Sequence, residues 1–127
     1  MNAHARYRET QVAEASPQEV LLGTFDGILS RIGRAREAML AKDYAEKGAQ
    51  LSPVFVAFGE LRVALDHQRA PQLCARLDAL YDYLGRRLQL ASCTLDVGIL
   101  DEIAKHVRDM RSTWAQAFQA LKPKATR

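Results

Sequence analysis

The sequence predicts an all-α fold, an antiparallel up-down four-helix bundle preceded by a mobile N-terminal arm. Three observations carry that prediction. Four segments repeat apolar residues at spacings of three and four, the signature of one helical face. No stretch gives a strong strand signal. The links between the segments are short, which favours antiparallel neighbours. At 127 residues, 48% hydrophobic and 26% charged, the chain has material for one core and one domain.

Residues 1–15, MNAHARYRETQVAEA, show almost no periodicity and form the expected arm, with Tyr7 and Val12 as the sizeable apolar groups able to dock it. The bundle spans 16–121. Its first helix, about 17–42, stacks Leu21, Phe25, Ile28, Ile32, Ala35 and Met39. Ser16-Pro17-Gln18-Glu19 is a strong start: a serine cap, proline at the first helical position and glutamate three residues after the serine. The second helix, about 44–67, contains Pro53, which removes a backbone donor. Either the helix kinks there or Ser52 and Pro53 begin it afresh. The third, about 71–92, opens at Pro71 and presents Leu73, Leu77, Leu80, Leu84 and Leu88. The fourth, about 95–121, aligns Leu100, Ile103, Val107, Met110, Trp114, Ala117 and Leu121, and Pro123 stops it. Residues 122–127 are a flexible tail.

Several chemistries lack support. No Glu-x-x-His pair of a carboxylate-bridged di-iron bundle occurs, and Glu102 with His106 reads as a solvated one-turn contact. Cys74 and Cys93 have no Cys-x-x-Cys partners, so zinc spacings are absent. At opposite ends of one helix they stand about 28 Å apart, too far for a disulfide, and are expected to be reduced and packed. The single glycines form no phosphate-cradling loop, and His4, His67 and His106 join no nucleophile and carboxylate. No enzyme, cofactor or metal site is expected. The net charge of +3 is spread among arginines with acidic neighbours, which argues against a nucleic-acid stripe. No segment is long and apolar enough to insert in a membrane, and the polar start lacks the apolar core of a secretory signal, so the expected location is cytoplasmic.

One segment carries more apolar surface than a core needs. In SPVFVAFGELRVAL, Ser52 to Leu65, a helix turning about 100° per residue stacks Val54, Phe58, Leu61 and Leu65 on one stripe and sets Val56 and Val63 nearly opposite, beside Phe55 and Gly59. The first stripe builds the core. The second is either covered by neighbouring helices or left as a contact face. In the third helix Tyr81 and Tyr83 lie about 200° apart around the axis, so they cannot share a face. If Tyr81 sits beside the leucine stripe, Tyr83 points elsewhere, as an amphipathic ring suited to an interface.

With these residues in order, the chain resembles the flagellin-specific export chaperones, the FliS family. The likeness runs through Ala15-Ser16-Pro17, Phe25-Asp26-Gly27, Ala45-Glu46-Lys47-Gly48 to Leu51-Ser52, Leu80-Tyr81-Asp82-Tyr83 with Arg86-Arg87-Leu88, and Trp114, collinear from Tyr7 to Phe118. Departures fall at ends and bends: Gln68-Arg69-Ala70-Pro71 in place of a glycine-rich link, Pro53 within the second helix, and Ser92 where asparagine is common. The resemblance implies a cytosolic chaperone that binds the C-terminal segment of flagellin, prevents premature polymerisation and aids delivery to the flagellar secretion apparatus. An export-gate component or co-chaperone is a further partner. On this reading Phe55, Val56, Val63 and Tyr83 help line the client surface, Tyr7 covers part of it when no client is bound, and Leu80, Leu84, Ile103, Val107 and Trp114 are core. The rival from another class is a structural or regulatory bundle that forms a homodimer through the same faces.

Overall fold

Each helix begins where a side chain or a proline deals with the amides of its first turn. Ser16 Oγ accepts the Glu19 N–H at 3.1 Å, Asp43 Oδ1 accepts that of Glu46 at 3.2 Å, and Asp96 Oδ1 accepts those of Gly98 and Ile99 at 2.9 and 3.4 Å. Ala70 offers no side-chain cap, but Pro71 stands in the first turn, where its missing N–H costs nothing. The computed structural model describes residues 15–123 and contains four helices: α1 Pro17–Leu40, α2 Tyr44–Val63, α3 Pro71–Thr94 and α4 Val97–Leu121. Tyr7, Val12 and the rest of the arm up to residue 14 lie outside the described residues.

The helix ends differ from the sequence expectation for local reasons. α1 stops at Leu40 rather than 42 because Lys42 turns into the left-handed region at φ 60°, and the Lys42 and Asp43 amides close onto Met39 O and Ala38 O. α2 stops at Val63, short of 67, because Asp66 organises a turn of its own. Its side chain accepts the Gln68 N–H, and its carbonyl accepts the Arg69 N–H and the Cys74 thiol. α3 continues past 92 to Thr94 and ends on Leu95 at φ 56°, so α4 starts at Val97 rather than 95. Pro53 lies inside α2 without ending it, which removes the alternative of a fresh start at Ser52.

Cross-helix pairs give the register. Arg36 meets Asp101 and Asp26 meets Arg111, each at 2.9 Å, so α1 and α4 run in opposite directions. Lys47 Nζ reaches Ser92 O at 3.1 Å, and Arg62 Nε reaches Asp78 Oδ1 at 2.9 Å, which sets α2 antiparallel to α3. Sequence neighbours pair and α4 closes onto α1, completing an up-down ring of four.

The core is the sum of the apolar stripes. Phe25, Ile28, Ile32, Val54, Phe58, Leu84, Leu88, Leu100, Ile103 and Val107 are sealed, and no polar or charged residue is buried among those described. The stripes run past the core at their ends: Leu73 is half exposed and Leu121 largely exposed. Leu80 and Trp114 are only partly buried against the core. Cys74 is packed as expected, whereas Cys93 is exposed, because it stands about 200° around α3 from the sealed Ala91 and faces outward.

Candidate functional site

The second face of α2 is not sealed by the protein's own helices. Phe55 is 44% exposed, Val56 55% and Val63 86%. These side chains sit on the flank of α2 that turns from the core stripe of Val54 and Phe58, so the helical period itself brings them outward. Phe55 lies toward α3, where Gly85 has no side chain. A Cβ at that position would stand 3.6 Å from Phe55 Cε2, in ordinary contact, and the ring rests over bare backbone. Two hollows flank it along the α2–α3 groove. One, of about 400 Å³, is lined by Gly48, Leu51, Ser52, Val56 and Leu88. The other, of about 280 Å³, is backed by Phe58, Gly59 and Tyr81 and rimmed by Arg62, Asp82 and Arg86.

That rim is a charge ladder. Arg62 of α2 bonds Asp78 and Asp82 of α3, and Arg86 pairs with Asp82 at 2.7 Å. Bonding to Arg62 holds the Asp78 carboxyl below its ordinary range and raises the guanidinium further. At the other end of the groove the Lys47 ammonium bridges to Ser92 O.

Tyr83 stands elsewhere. It is 41% exposed on the flank of α3 facing α4, where its hydroxyl donates to Glu102 Oε1 at 2.6 Å and its ring meets His106 edge-on with centroids 6.3 Å apart. Arg87 Nη2 donates to Glu102 Oε2 at 2.9 Å. The hydrogen bond to Glu102 raises the Tyr83 phenol, and the bonds from Tyr83 and Arg87 lower the Glu102 carboxyl. The expected Glu102–His106 interaction is the weaker part of this cluster: the carboxylate feels the His106 charge along its own helix but takes its hydrogen-bond donors across the helix seam. Of the sequence-predicted site residues, Phe55 and Val56 share one groove. Val63 is near the end of α2 and lines neither of its hollows, Tyr83 lies on the opposite flank of α3, and Tyr7 is outside the described residues.

Two further apolar hollows were not anticipated. The larger, about 460 Å³, opens at the end of the bundle where α1 begins, α2 ends and α3 begins. Val20, Leu21, Leu61, Leu65, Leu77 and Trp114 form its walls, with Glu60 and Asp66 at its edge. The other, about 440 Å³, lies between α3 and α4 against Leu80, Met110 and Ala117, and shares Leu73, Leu77 and Trp114 with the first. The signal was present in the sequence. Leu65, Leu73, Leu77 and Trp114 extend their stripes to helix ends that an antiparallel bundle brings together.

No cluster of His, Cys, Asp and Glu suited to a metal ion occurs among the described residues, and none of their helices is long and apolar enough to cross a membrane. The arrangement offers apolar grooves with charged margins, a geometry suited to holding an amphipathic polypeptide.

Comparison with known proteins agrees with this geometry. A family model described as flagellar protein FliS matches residues 1–121. The flagellar secretion chaperone FliSB of Pseudomonas aeruginosa is 35% identical over 106 residues, 84% of each chain. The flagellar secretion chaperone FliS of Bacillus subtilis is 34% identical over 119 residues, 94% of this chain and 88% of its own. A solved structure described as a flagellar chaperone from bacteria superposes with a TM-score of 0.78 at 19% identity, covering 93% of this chain and 96% of the other, which supports the bundle fold. With a family match across almost its whole length and relatives above 30% identity, the chain belongs to the FliS family of flagellar secretion chaperones.

Proposed function

We propose that this chaperone binds the C-terminal segment of newly made flagellin in the cytoplasm, keeps it from polymerising prematurely and aids its delivery to the flagellar secretion apparatus. The observation that supports this reading most is the pair Phe55 and Val56, half exposed beside the hollows of the α2–α3 groove in a chain whose relatives are named secretion chaperones. An amphipathic client helix laid along α2 and α3 buries its apolar face there, and its ordering entropy is offset by the apolar area removed from water. Holding that face covered denies it to other flagellin copies.

Val63 and Tyr83 extend the client surface beyond this groove, and Tyr7 on the arm covers part of it until a client arrives. An export-gate component or co-chaperone docks on what the client leaves open.

Isothermal calorimetry of the full chain against a flagellin C-terminal peptide tests the proposal, with light scattering across a concentration series beside it. Saturable binding by a monomer supports it. Absence of heat together with concentration-dependent dimerisation would favour the self-associating bundle instead.

A further inference from the structure

Tyr81 is a tyrosine where the fold itself asks only for phenylalanine. It is 2% exposed and belongs to the central cluster with Phe25, Phe58 and Leu84. Its hydroxyl has no hydrogen-bond partner among the described residues, and burial alone raises its phenol. The hydroxyl is not among the sealed polar atoms left without a partner, which among the described residues is Arg87 Nε, so it opens on a hollow and is available to a partner from outside the bundle's own packing. Tyr81 lies at the back of both the end hollow and the smaller hollow beside Phe55, so its ring is a wall common to the two.

We propose that the Tyr81 hydroxyl is the polar anchor of the client site, donating a hydrogen bond to an acceptor oxygen of the flagellin segment when that segment fills the end hollow. The inference rests on the client reading given above and adds the end hollow and Tyr81 to it. In the unliganded protein the hollow is roomy enough for water to serve the hydroxyl. A client that expels this water must replace its bond or leave the group unpaired, so Tyr81 favours segments that bring an oxygen to this point over equally apolar ones that do not. Continuity favours the client as occupant, because the smaller hollow of the α2–α3 groove and the end hollow border the same side chain, Tyr81, so a segment leaving the groove has the end hollow next to it. Charge adds to it: Glu60 and Asp66 stand at the edge, and no Lys or Arg lines the hollow among the described residues. That edge suits a segment carrying a basic residue beside its apolar ones.

The test is Tyr81→Phe in the full chain, with thermal unfolding of the free protein and calorimetry against the flagellin C-terminal peptide. The expected result is an unchanged or raised Tm with about three- to tenfold weaker binding, the effect of one hydrogen bond. Binding as tight as that of the parent chain overturns the proposal. So does a lowered Tm, because the hydroxyl would then serve the free protein or its own arm, and so does a Tm that rises with protein concentration, because a second copy would be the occupant. If the parent chain itself fails to bind the peptide, the proposed function falls and this inference with it.

Discussion

Tyr83 and Glu102 are joined across the α3–α4 seam by a 2.6 Å hydrogen bond from phenol to carboxylate, and Arg87 completes the carboxylate from its other side. The three side chains tie together helices whose apolar contact gives way to an open hollow further along. Because Glu102 bonds more strongly as an anion, its folded carboxyl is held below its ordinary value, as is that of Asp78 beside Arg62. Stability from a lowered carboxyl is present above the ordinary carboxylate range and is lost as pH falls through the folded value. Thermal unfolding followed from pH 7 to pH 3 is therefore expected to show a falling Tm. Glu102→Gln should start lower at neutral pH and fall less steeply.

Two phenylalanines one turn apart on α2 have opposite duties. Phe58 is 1% exposed, and Phe58→Ala should cost about 3–5 kcal/mol in urea unfolding. Phe55 is half open to solvent, and Phe55→Ala should cost about 1 kcal/mol while weakening client binding at least fivefold. Equal losses of stability at the two positions would place Phe55 in the core.

Val56 lines a hollow and Val63 does not. Aspartate at either position should leave the Tm within a few degrees of the parent value, since neither side chain is sealed. Calorimetry should show the larger loss of client affinity for Val56→Asp. A collapse of folding in Val56→Asp would show that the monomer needs this face for itself.

Removing residues 1–12, including Tyr7, should leave the far-ultraviolet helical signal of the bundle intact and change client affinity or association rate. Unchanged affinity and rate would eliminate Tyr7 as a cover.

Lys42 occupies a left-handed position at φ 60°, where a Cβ is penalised and glycine is not. Lys42→Gly should raise stability by about 1 kcal/mol, measured by urea unfolding. The gain is possible because the site asks for a backbone shape and the native side chain resists it.

The architecture was legible because its signals are local and repeated. Ser16-Pro17 marks a start by chemistry that needs no tertiary context, and Phe25 to Met39 follow one stripe that the fold buries. Angle alone set Val56 and Val63 opposite the core stripe and left open whether a neighbouring helix covers them; the structure leaves both exposed. What escaped the sequence depends on relations between helices. Glu102 looked toward His106 because the two share a helix, but its donors come from α3. Tyr83 was grouped with Phe55 because both looked surplus, yet α3 stands between them. The end hollow lies where four helix termini among the described residues leave one another uncovered; Leu77 and Trp114 pointed to it by carrying their stripes to helix ends, but the gap itself is a relation between helices. The end of α2 was overestimated because the Asp66 turn competes with helix through bonds to Gln68, Arg69 and Cys74.

The two poles of the bundle are built unlike each other. At one, Lys42 and Leu95 fold the chain back within a few residues and their neighbouring amides are tied to the preceding helices, so α1 with α2 and α3 with α4 are cinched. At the other, a longer connection from Ala64 to Ala70 and the outer ends of α1 and α4 border the apolar end hollow of the described residues. Thermal breathing is then lopsided, like a clothes-peg sprung at one tip. Amides of residues 60–75 should exchange with deuterium ahead of those near 38–46 and 91–99, because opening at the slack tip leaves the tight one to keep the four helices in register.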